Sequence, residues 1–476
     1  MVDYSPVDAR PVKRFFVEML TRDISLEEAI LDLLDNCVDG ILRSSHQTKD
    51  IKSPYMGYSA KITVNKNTFQ IEDNCGGIPW SEHDRAFRMG SPRIVKEDSD
   101  NEVLSVGTYG IGMKRAIFKM GTQALIWTQN RDNNYEVNIS PDWINSEVDW
   151  NLTVKEGSEG MSNDGTIIIV ENLYPEISEH FSAEVFEKNL LEKIEQHYAV
   201  IIEKGFTVTV NNKTAKHKPI VFRYNAEKIF DGKDIKPFMY KSNDNGVEVF
   251  LAVGLHNPIP SPEALLAEQE TPRFSSENAG WTVICNDRVV LFCNRDELTG
   301  WGTAGVPKYH TQFIAISGIV EFRGDPTKLP TTTTKRGLDV SSALYQRTLD
   351  KMREGTLIFT NFTNKWKTRE EEVKDIVMAV SSVNFTELKK QAAALEFHKV
   401  RTDITGEQFK PELPTPPEES NLARISYWRE KIDIQKLADQ LIDDITGKNE
   451  KDIRREVGEA SFDYAFRNLI NKELQS

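Results

Sequence analysis

The first third of the chain alternates strand-like runs with glycine-rich loops and one amphipathic helix, an arrangement that restricts the fold strongly. Runs suited to strands occur at AKITVNKNTFQIEDN, EVNIS, DWNLTVKE and GTIIIVENL. After Ser25, apolar residues instead recur at helical spacing, and Glu28 completes a capping box with Ser25. The spacing predicts an amphipathic helix with an apolar stripe at Leu26, Ala29, Ile30, Leu33, Leu34, Cys37 and Val38. The pattern predicts a mixed α/β layer over residues 1–172.

Residues 173–345 are predicted to form a second α/β domain. They open with a long helical stretch from Ser182 to Lys204 and then become rich in strand-like runs. Within WTVICNDRVVLFCN, a hairpin turn is predicted at Asn286 and Asp287.

Residues 346–476 are predicted to be a charged, mostly helical region. The segment near 405–421, TGEQFKPELPTPPEESN, contains four prolines and scattered acids, so it predicts a linker. The helices beyond it are amphipathic, and their apolar faces need a partner surface, either this protein's own body or another chain.

Charge and hydropathy exclude some classes of protein. The 59 basic and 73 acidic residues give a net charge of -14, so binding of nucleic acid would need a local basic surface. No apolar run reaches the about 20 residues that cross a bilayer, and the start of the chain lacks the apolar core of a signal peptide. We therefore expect a cytoplasmic protein without a membrane segment.

The four cysteines, Cys37, Cys75, Cys285 and Cys293, show no CxxC pairing. They are too sparse to cross-link a chain of this length, which fits a reducing compartment, and their spacing argues against a zinc site. We expect them to pack as small apolar side chains.

The amphipathic helix also carries a polar face, in DLLDNCVDG. Asp32 and Asn36 are four residues apart and project from one side of the helix. A carboxylate and a carboxamide are hard oxygen donors suited to Mg²⁺, to phosphates held by it and to a water molecule. The alternative interpretation is a solvated acidic helix face.

Two glycine-containing loops follow. In IEDNCGGIP, Asp73 ends a strand and Gly76 and Gly77 let the backbone approach a flat group, so the carboxylate suits an exocyclic amine such as that of adenine. An ordinary turn is the alternative. In SVGTYGIGMKRAIFKMG, the glycines lead into a helix whose N–H groups suit an anion, although neither the P-loop nor the Rossmann pattern is present. A purely structural loop is the alternative there.

In this order and spacing, and with the GT strand that follows, these pieces resemble the ATP-binding domain of the GHKL superfamily. That superfamily includes gyrase-type topoisomerases, the large heat-shock chaperones, MutL, MORC proteins and histidine kinases. The resemblance covers about residues 20–172, and YGIGMKRA is most similar to MutL-like and MORC-like members. It implies the GHKL (Bergerat) α/β sandwich, in which the nucleotide lies between a mixed sheet and the helices.

The resemblance also implies a role for individual residues. Asp32 would be the catalytic base, Asn36 the Mg²⁺ ligand, and Asp73 the acceptor of the adenine amine, with Thr166 nearby. Further nucleotide contacts would come from Gly77, Gly107, Tyr109, Gly110, Ile111, Gly112, Met113 and Lys114.

Two positions depart from the family pattern. Asp32 stands where hydrolysing relatives usually have Glu, and its side chain is one methylene shorter, which makes hydrolysis less secure than binding. Cys75 replaces the first glycine of DxGxG.

The second domain resembles the transducer domain that follows the ATP domain in MutL, gyrase and MORC proteins. There a lysine reaches the γ-phosphate, and in LPTTTTKRGLD the best candidate is Lys335, with Lys328 and Arg336 as substitutes. A solvated basic loop is the alternative.

The resemblance implies an ATPase that uses Mg²⁺ and closes or forms a homodimer on ATP, as a molecular clamp or switch. The alternatives are an ATP-gated binding module with negligible hydrolysis and a chaperone acting on protein clients.

Overall fold

The computed structural model places two β-sheets and their covering helices in one compact unit, Met1–Pro416, and a pair of helices in a second, Pro417–Ser476. The described residues are 12–44, 53–88, 111–131, 133–147, 149–157, 159–224, 235–261, 264–265, 278–332, 337–378, 381–400, 406–416, 428–442 and 448–469.

The first sheet has eight strands in the order β5-β4-β3-β6-β2-β1-β7-β8. Their bounds are β1 Ser59–Val64, β2 Phe69–Asp73, β3 Gly121–Asn130, β4 Asn133–Ile139, β5 Val154–Glu156, β6 Gly165–Leu173, β7 Thr207–Val210 and β8 Lys213–Thr214. The β1–β7 pair is parallel and the other pairs are antiparallel, so the sheet is mixed as predicted. Its last two strands come from beyond residue 172.

Within the described ranges, eight α-helices accompany this sheet: α1 Lys13–Arg22, α2 Leu26–Ser44, α3 His83–Phe87, α4 Gly112–Met120, α5 Pro141–Asn145, α6 Pro175–Ser182, α7 Glu184–His197 and α8 Ala199–Glu203. The predicted capping box is confirmed, because the Ser25 N–H donates to Glu28 at 2.9 Å and the Glu28 N–H to the Ser25 hydroxyl at 3.3 Å. The predicted apolar stripe of α2 is buried in the first core. The long stretch predicted from Ser182 to Lys204 is divided at Tyr198, whose backbone leaves helical geometry.

The second sheet contains seven strands, in the order β13-β12-β14-β11-β10-β17-β16. Their bounds are β10 Phe238–Asp244, β11 Val247–Leu255, β12 Gly280–Cys285, β13 Arg288–Asn294, β14 Ile316–Arg323, β16 His398–Lys399 and β17 Glu407–Phe409. The predicted turn between β12 and β13 is confirmed, since Asn286 and Asp287 have φ of 48° and 69°, the left-handed pair that a tight hairpin needs. Two short strands, β9 Val221–Arg223 and β15 Ser382–Asn384, pair separately.

The long helix Ala343–Trp366 covers the second sheet, and its Thr356 hydroxyl accepts a hydrogen bond from the buried Trp281 indole at 2.9 Å. The start of the segment predicted as a linker belongs to this sheet, because β17 pairs with β10. Phe409 packs against an apolar cluster there, so burial outweighs the linker-like composition around it. Shorter helices follow at Glu370–Met378 and Phe385–Ala392.

The second unit contains the helices Lys431–Leu441 and Glu450–Leu469, which pack on each other. Ala438 and Val457 are buried between them, while Phe462 and Tyr464 remain exposed. Among the helices described, none is both long and apolar enough to span a bilayer. The architecture as a whole confirms the predicted α/β class with helices at the C-terminal end.

Candidate functional site

Helix α2 brings the predicted acid and amide to one face, beside the first sheet. Asp32 is partly buried, and Asn36, one turn later, is exposed. The opposite face is anchored in the core by residues such as Leu33 and Cys37. The helix therefore holds two hard oxygen donors at a fixed spacing, with the amide open to a ligand.

Asp32 forms an ion pair that the sequence did not predict. Its Oδ2 atom accepts hydrogen bonds from Arg115 on α4, from Nε at 3.1 Å and also from Nη2. The two side chains are only 12% and 9% exposed. Gly112 permits this pairing, because a Cβ there would lie 3.2 Å from the Cβ of Asp32. The guanidinium therefore competes with water for the oxygen that a catalytic base would use.

Asp73 lies at the end of β2, with both carboxylate oxygens engaged. Oδ1 accepts a hydrogen bond from the Cys75 N–H at 2.8 Å, and Oδ2 accepts one from the Cys37 thiol at 3.5 Å. Burial raises the pKa of Asp73 to about 6, against the hydrogen bonds from Cys75, Cys37 and the Thr166 N–H that favour the charged form. With this pKa the group is mostly an ionised acceptor at neutral pH, and its side chain is partly accessible.

Thr166 lies directly opposite Asp73 in the β2–β6 ladder. Its hydroxyl is 3.0 Å from that of Thr128 on β3. Thr128 also accepts from the Ile78 N–H at 2.9 Å and donates to the Gly165 carbonyl at 3.1 Å. Thr128 thus links Ile78, Gly165 and Thr166 beside Asp73, a role that the sequence did not predict.

The two glycines after Asp73 are required by the protein's own packing. Gly76 and Gly77 have φ of 93° and 63°, in the region that favours glycine. A Cβ on Gly77 would overlap the Gln129 carbonyl oxygen, and one on Gly76 would overlap the Ser44 hydroxyl. The close backbone approach predicted at Gly77 is therefore made to strand β3, directly beside the candidate adenine site.

Lys114 follows the glycine-rich segment but is buried, with 2% exposure. Its ammonium donates to the Arg88 carbonyl at 2.9 Å, and burial lowers its pKa to about 8. In this conformation Lys114 ties the start of α4 to the chain just after α3. Its neighbours Ile111 and Met113 are partly buried and buried, respectively.

Four of the predicted site residues lie outside the described residues: Gly107, Tyr109, Gly110 and Lys335. The alternative Arg336 lies outside them as well. The other alternative, Lys328, is described, and its ammonium donates to the Asn245 carbonyl at 3.1 Å.

A second buried ion pair joins α2 to the second sheet. Asp35, next to Asn36 on α2, accepts from Arg288 Nε at 2.9 Å and from the Tyr198 hydroxyl at 2.5 Å. Asp35 is 2% exposed and Arg288 is 6% exposed. The Tyr198 hydroxyl also approaches the Leu31 carbonyl at 2.8 Å. The helix that carries Asp32 and Asn36 is thus held by the first residue of β13.

The β12–β13 turn also makes polar contacts with residues that flank the first sheet, through Asp287. Asp287 accepts from Lys204 at 2.6 Å, from Tyr55 at 2.9 Å and from Arg323 at 3.3 Å. Although burial alone would raise the pKa of Asp287, Lys204 and Arg323 lower it, so the carboxylate stays charged. The turn is therefore anchored by charge as well as by packing.

The comparison with protein families agrees with this geometry. Residues 24–164 match the model of the histidine kinase-, DNA gyrase B- and HSP90-like ATPase family. The matched range contains α2, Asp73 and α4, and it ends just before Gly165 and Thr166. No curated protein matches the chain.

Proposed function

Because residues 24–164 form a GHKL-type ATPase domain, we propose that the protein binds ATP with Mg²⁺ and hydrolyses it to ADP and phosphate. Nucleotide-driven closure or dimerisation would then make it a molecular clamp or switch. The observation that carries the proposal is Asp73, a partly accessible carboxylate at a glycine turn, beside a helix with an acid and an amide on one face.

Each residue then has a defined task. Asp73 accepts the adenine amine, and Thr166 with Thr128 supplies the hydroxyls beside it. Asn36 is an exposed amide on the correct face of α2 and would hold Mg²⁺ through its oxygen. When bound, Mg²⁺ offsets the negative charge of the phosphates. Asp32 orients the attacking water or takes its proton.

We also propose that the second sheet acts as a transducer of the MutL/MORC-like kind, with Lys335 as the lysine that contacts the γ-phosphate. The ion pair between Asp35 and Arg288 supports this role, because it links the ATP-binding helix directly to β13. A movement of α2 on nucleotide binding would therefore displace β13 and the second sheet through this ion pair.

A second candidate function is an ATP-gated binding module that hydrolyses ATP negligibly. The pairing of Asp32 with Arg115 favours it, because the guanidinium already engages Oδ2, one of the two oxygens with which Asp32 could activate a water molecule. A phosphate-release assay separates the two candidates, since only the hydrolase turns over.

The adenine assignment predicts that Asp73→Asn weakens ATP binding by about 1 to 3 kcal/mol, or about 5- to 150-fold, because the amide cannot replace the charged acceptor. Calorimetric titration with ATP measures this directly. Asp142→Asn, an equal change at an exposed acid on α5, is the matched control and should bind as the wild type does. Unchanged ATP affinity in a folded Asp73→Asn protein would show that adenine binds elsewhere.

A pH dependence follows from the pKa of Asp73, about 6. Above that pH the carboxylate is charged and accepts the amine hydrogen; below it, the protonated group loses most of this capacity. ATP affinity should therefore fall as pH is lowered from 7 to 5, approaching about ten-fold per pH unit below 6. In Asp73→Asn, which has no titrating group here, this part of the pH dependence should disappear. A wild-type profile identical to that of the variant would contradict the assignment.

A further inference from the structure

Three potential metal ligands converge at the adenine end of the candidate site. The Cys37 thiol on α2, the Asp73 carboxylate and the Cys75 thiol lie with their ligand atoms within 4.8 Å of one another. Cys37 Sγ is 3.5 Å from Asp73 Oδ2. Cys37 and Cys75 are 4% and 1% exposed, whereas Asp73 is partly accessible. The cluster is therefore enclosed on the thiol side and open on the carboxylate side.

These separations are close to those of a tetrahedral zinc site. With Zn–S bonds of about 2.3 Å and Zn–O bonds of about 2.0 Å, two thiolates lie about 3.8 Å apart and a thiolate lies about 3.5 Å from the oxygen. The observed sulfur–oxygen distance of 3.5 Å matches the second value, and the two sulfur atoms lie within 4.8 Å of each other. Three protein ligands leave one position open, as in zinc sites that keep a water molecule.

The surroundings also fix the orientation of the ligands. The Cys75 N–H holds Asp73 Oδ1, which leaves Oδ2 directed to the thiol of Cys37. Gly40 permits the approach of α2 to this turn, because a Cβ there would lie 2.5 Å from the Cys75 carbonyl oxygen. Ligands that are positioned before a metal arrives lose less entropy when it binds.

We propose that Cys37, Asp73 and Cys75 form a binding site for zinc or another thiophilic divalent metal, and that a metal there excludes adenine. The second part rests on the proposed function: Asp73 Oδ1 already accepts from the Cys75 N–H, so a metal on Oδ2 would take the oxygen left for the adenine amine. Sequence spacing argued against zinc, but the fold joins two cysteines that lie on different elements. Binding converts both thiols to thiolates and releases their protons, so it strengthens as pH rises.

The test of the metal site is a titration of the full chain with Cd²⁺, followed by the ultraviolet absorbance of cadmium–thiolate bonds, and with Zn²⁺ by calorimetry. One equivalent should bind with an absorbance change that corresponds to two thiolates. Cys37→Ser and Cys75→Ser should each weaken metal binding by at least about 10- to 100-fold. Loss of a group that only supports a metal ligand already costs that much, and each of these substitutions removes a ligand itself. Cys285→Ser, which removes a buried thiol of the second sheet, is the matched control and should bind as the wild type does.

Asp73→Asn keeps both thiols and therefore provides a second test if a cysteine variant folds poorly. It should retain the thiolate absorbance with weaker affinity. If the wild type shows no such absorbance, or the double variant Cys37→Ser/Cys75→Ser shows the same binding as the wild type, the cluster is only a thiol–carboxylate hydrogen bond and the proposal fails.

The competition is measured separately, as ATP affinity at fixed free Zn²⁺ in the wild type and in the double variant. Zinc should weaken ATP binding more in the wild type than in the double variant. In the variant, the remaining effect of zinc reports only the binding of zinc by the phosphates of ATP. Metal binding without competition would overturn the exclusion of adenine and leave the metal site standing. Absence of ATP binding in zinc-free protein would instead contradict the proposed function.

Discussion

An Asp32→Asn variant is expected to bind ATP nearly as the wild type does while its hydrolysis rate falls about 10²- to 10⁴-fold. The amide cannot accept a proton from water, and loss of a general base typically costs this much in rate. Phosphate release at saturating ATP gives the rate, and calorimetry with a non-hydrolysable analogue gives the affinity.

The pairing of Asp32 with Arg115 makes the controls essential, because the substitution also removes an ion pair. Glu28→Gln is the matched control: it is the same chemical change one turn earlier on α2, and glutamine still completes the capping box. Thermal unfolding of both variants measures the structural cost separately from the rate. If the wild type hydrolyses ATP and Asp32→Asn equals it, Asp32 is not the base. If the wild type itself shows no turnover, the binding-module function is favoured.

An Arg288→Met variant is expected to lower the free energy of unfolding by about 3 to 5 kcal/mol, since it leaves the Asp35 carboxylate buried without its guanidinium. Urea unfolding measures the change. The double variant Asp35→Asn/Arg288→Met should lose less than the sum of the two single variants, because it no longer buries a lone charge.

Arg14→Met is the control for that experiment, because Arg14 pairs with Glu18 on an exposed surface of α1. Exposed pairs contribute little, so its unfolding free energy should stay nearly unchanged. Equal stability losses in the Arg288 and Arg14 variants would show that the buried pair is not a structural link between the two sheets.

The parts of the site that could be predicted are those with a local signature. The capping box and apolar stripe of α2 depend on residues within a few positions of each other, and both are confirmed. The Asn286–Asp287 turn was predictable for the same reason, because turn chemistry is local.

The unpredicted parts depend on contacts between distant segments. Asp35 and Arg288 are 253 positions apart, and neither has a local pattern that marks it as a partner of the other. Strand β3 was not identified as a strand, so Thr128 was missed although it lies beside Thr166. The resemblance predicts a nucleotide contact for Lys114, and the additional contact of its ammonium with the Arg88 carbonyl comes from tertiary packing that the motif does not indicate.

The contact between Arg288 of the β12–β13 hairpin and Asp35 of α2 limits how the chain can be divided into stable fragments. A piece ending at residue 172 would contain the whole matched range 24–164, but it would lack β7, Tyr198 and Arg288. Strand β1 would then have an open edge, and Asp35 would lose the hydroxyl and the guanidinium that balance its charge in an apolar setting. We therefore expect a fragment that ends at residue 172 to be less stable than one that extends through the second sheet.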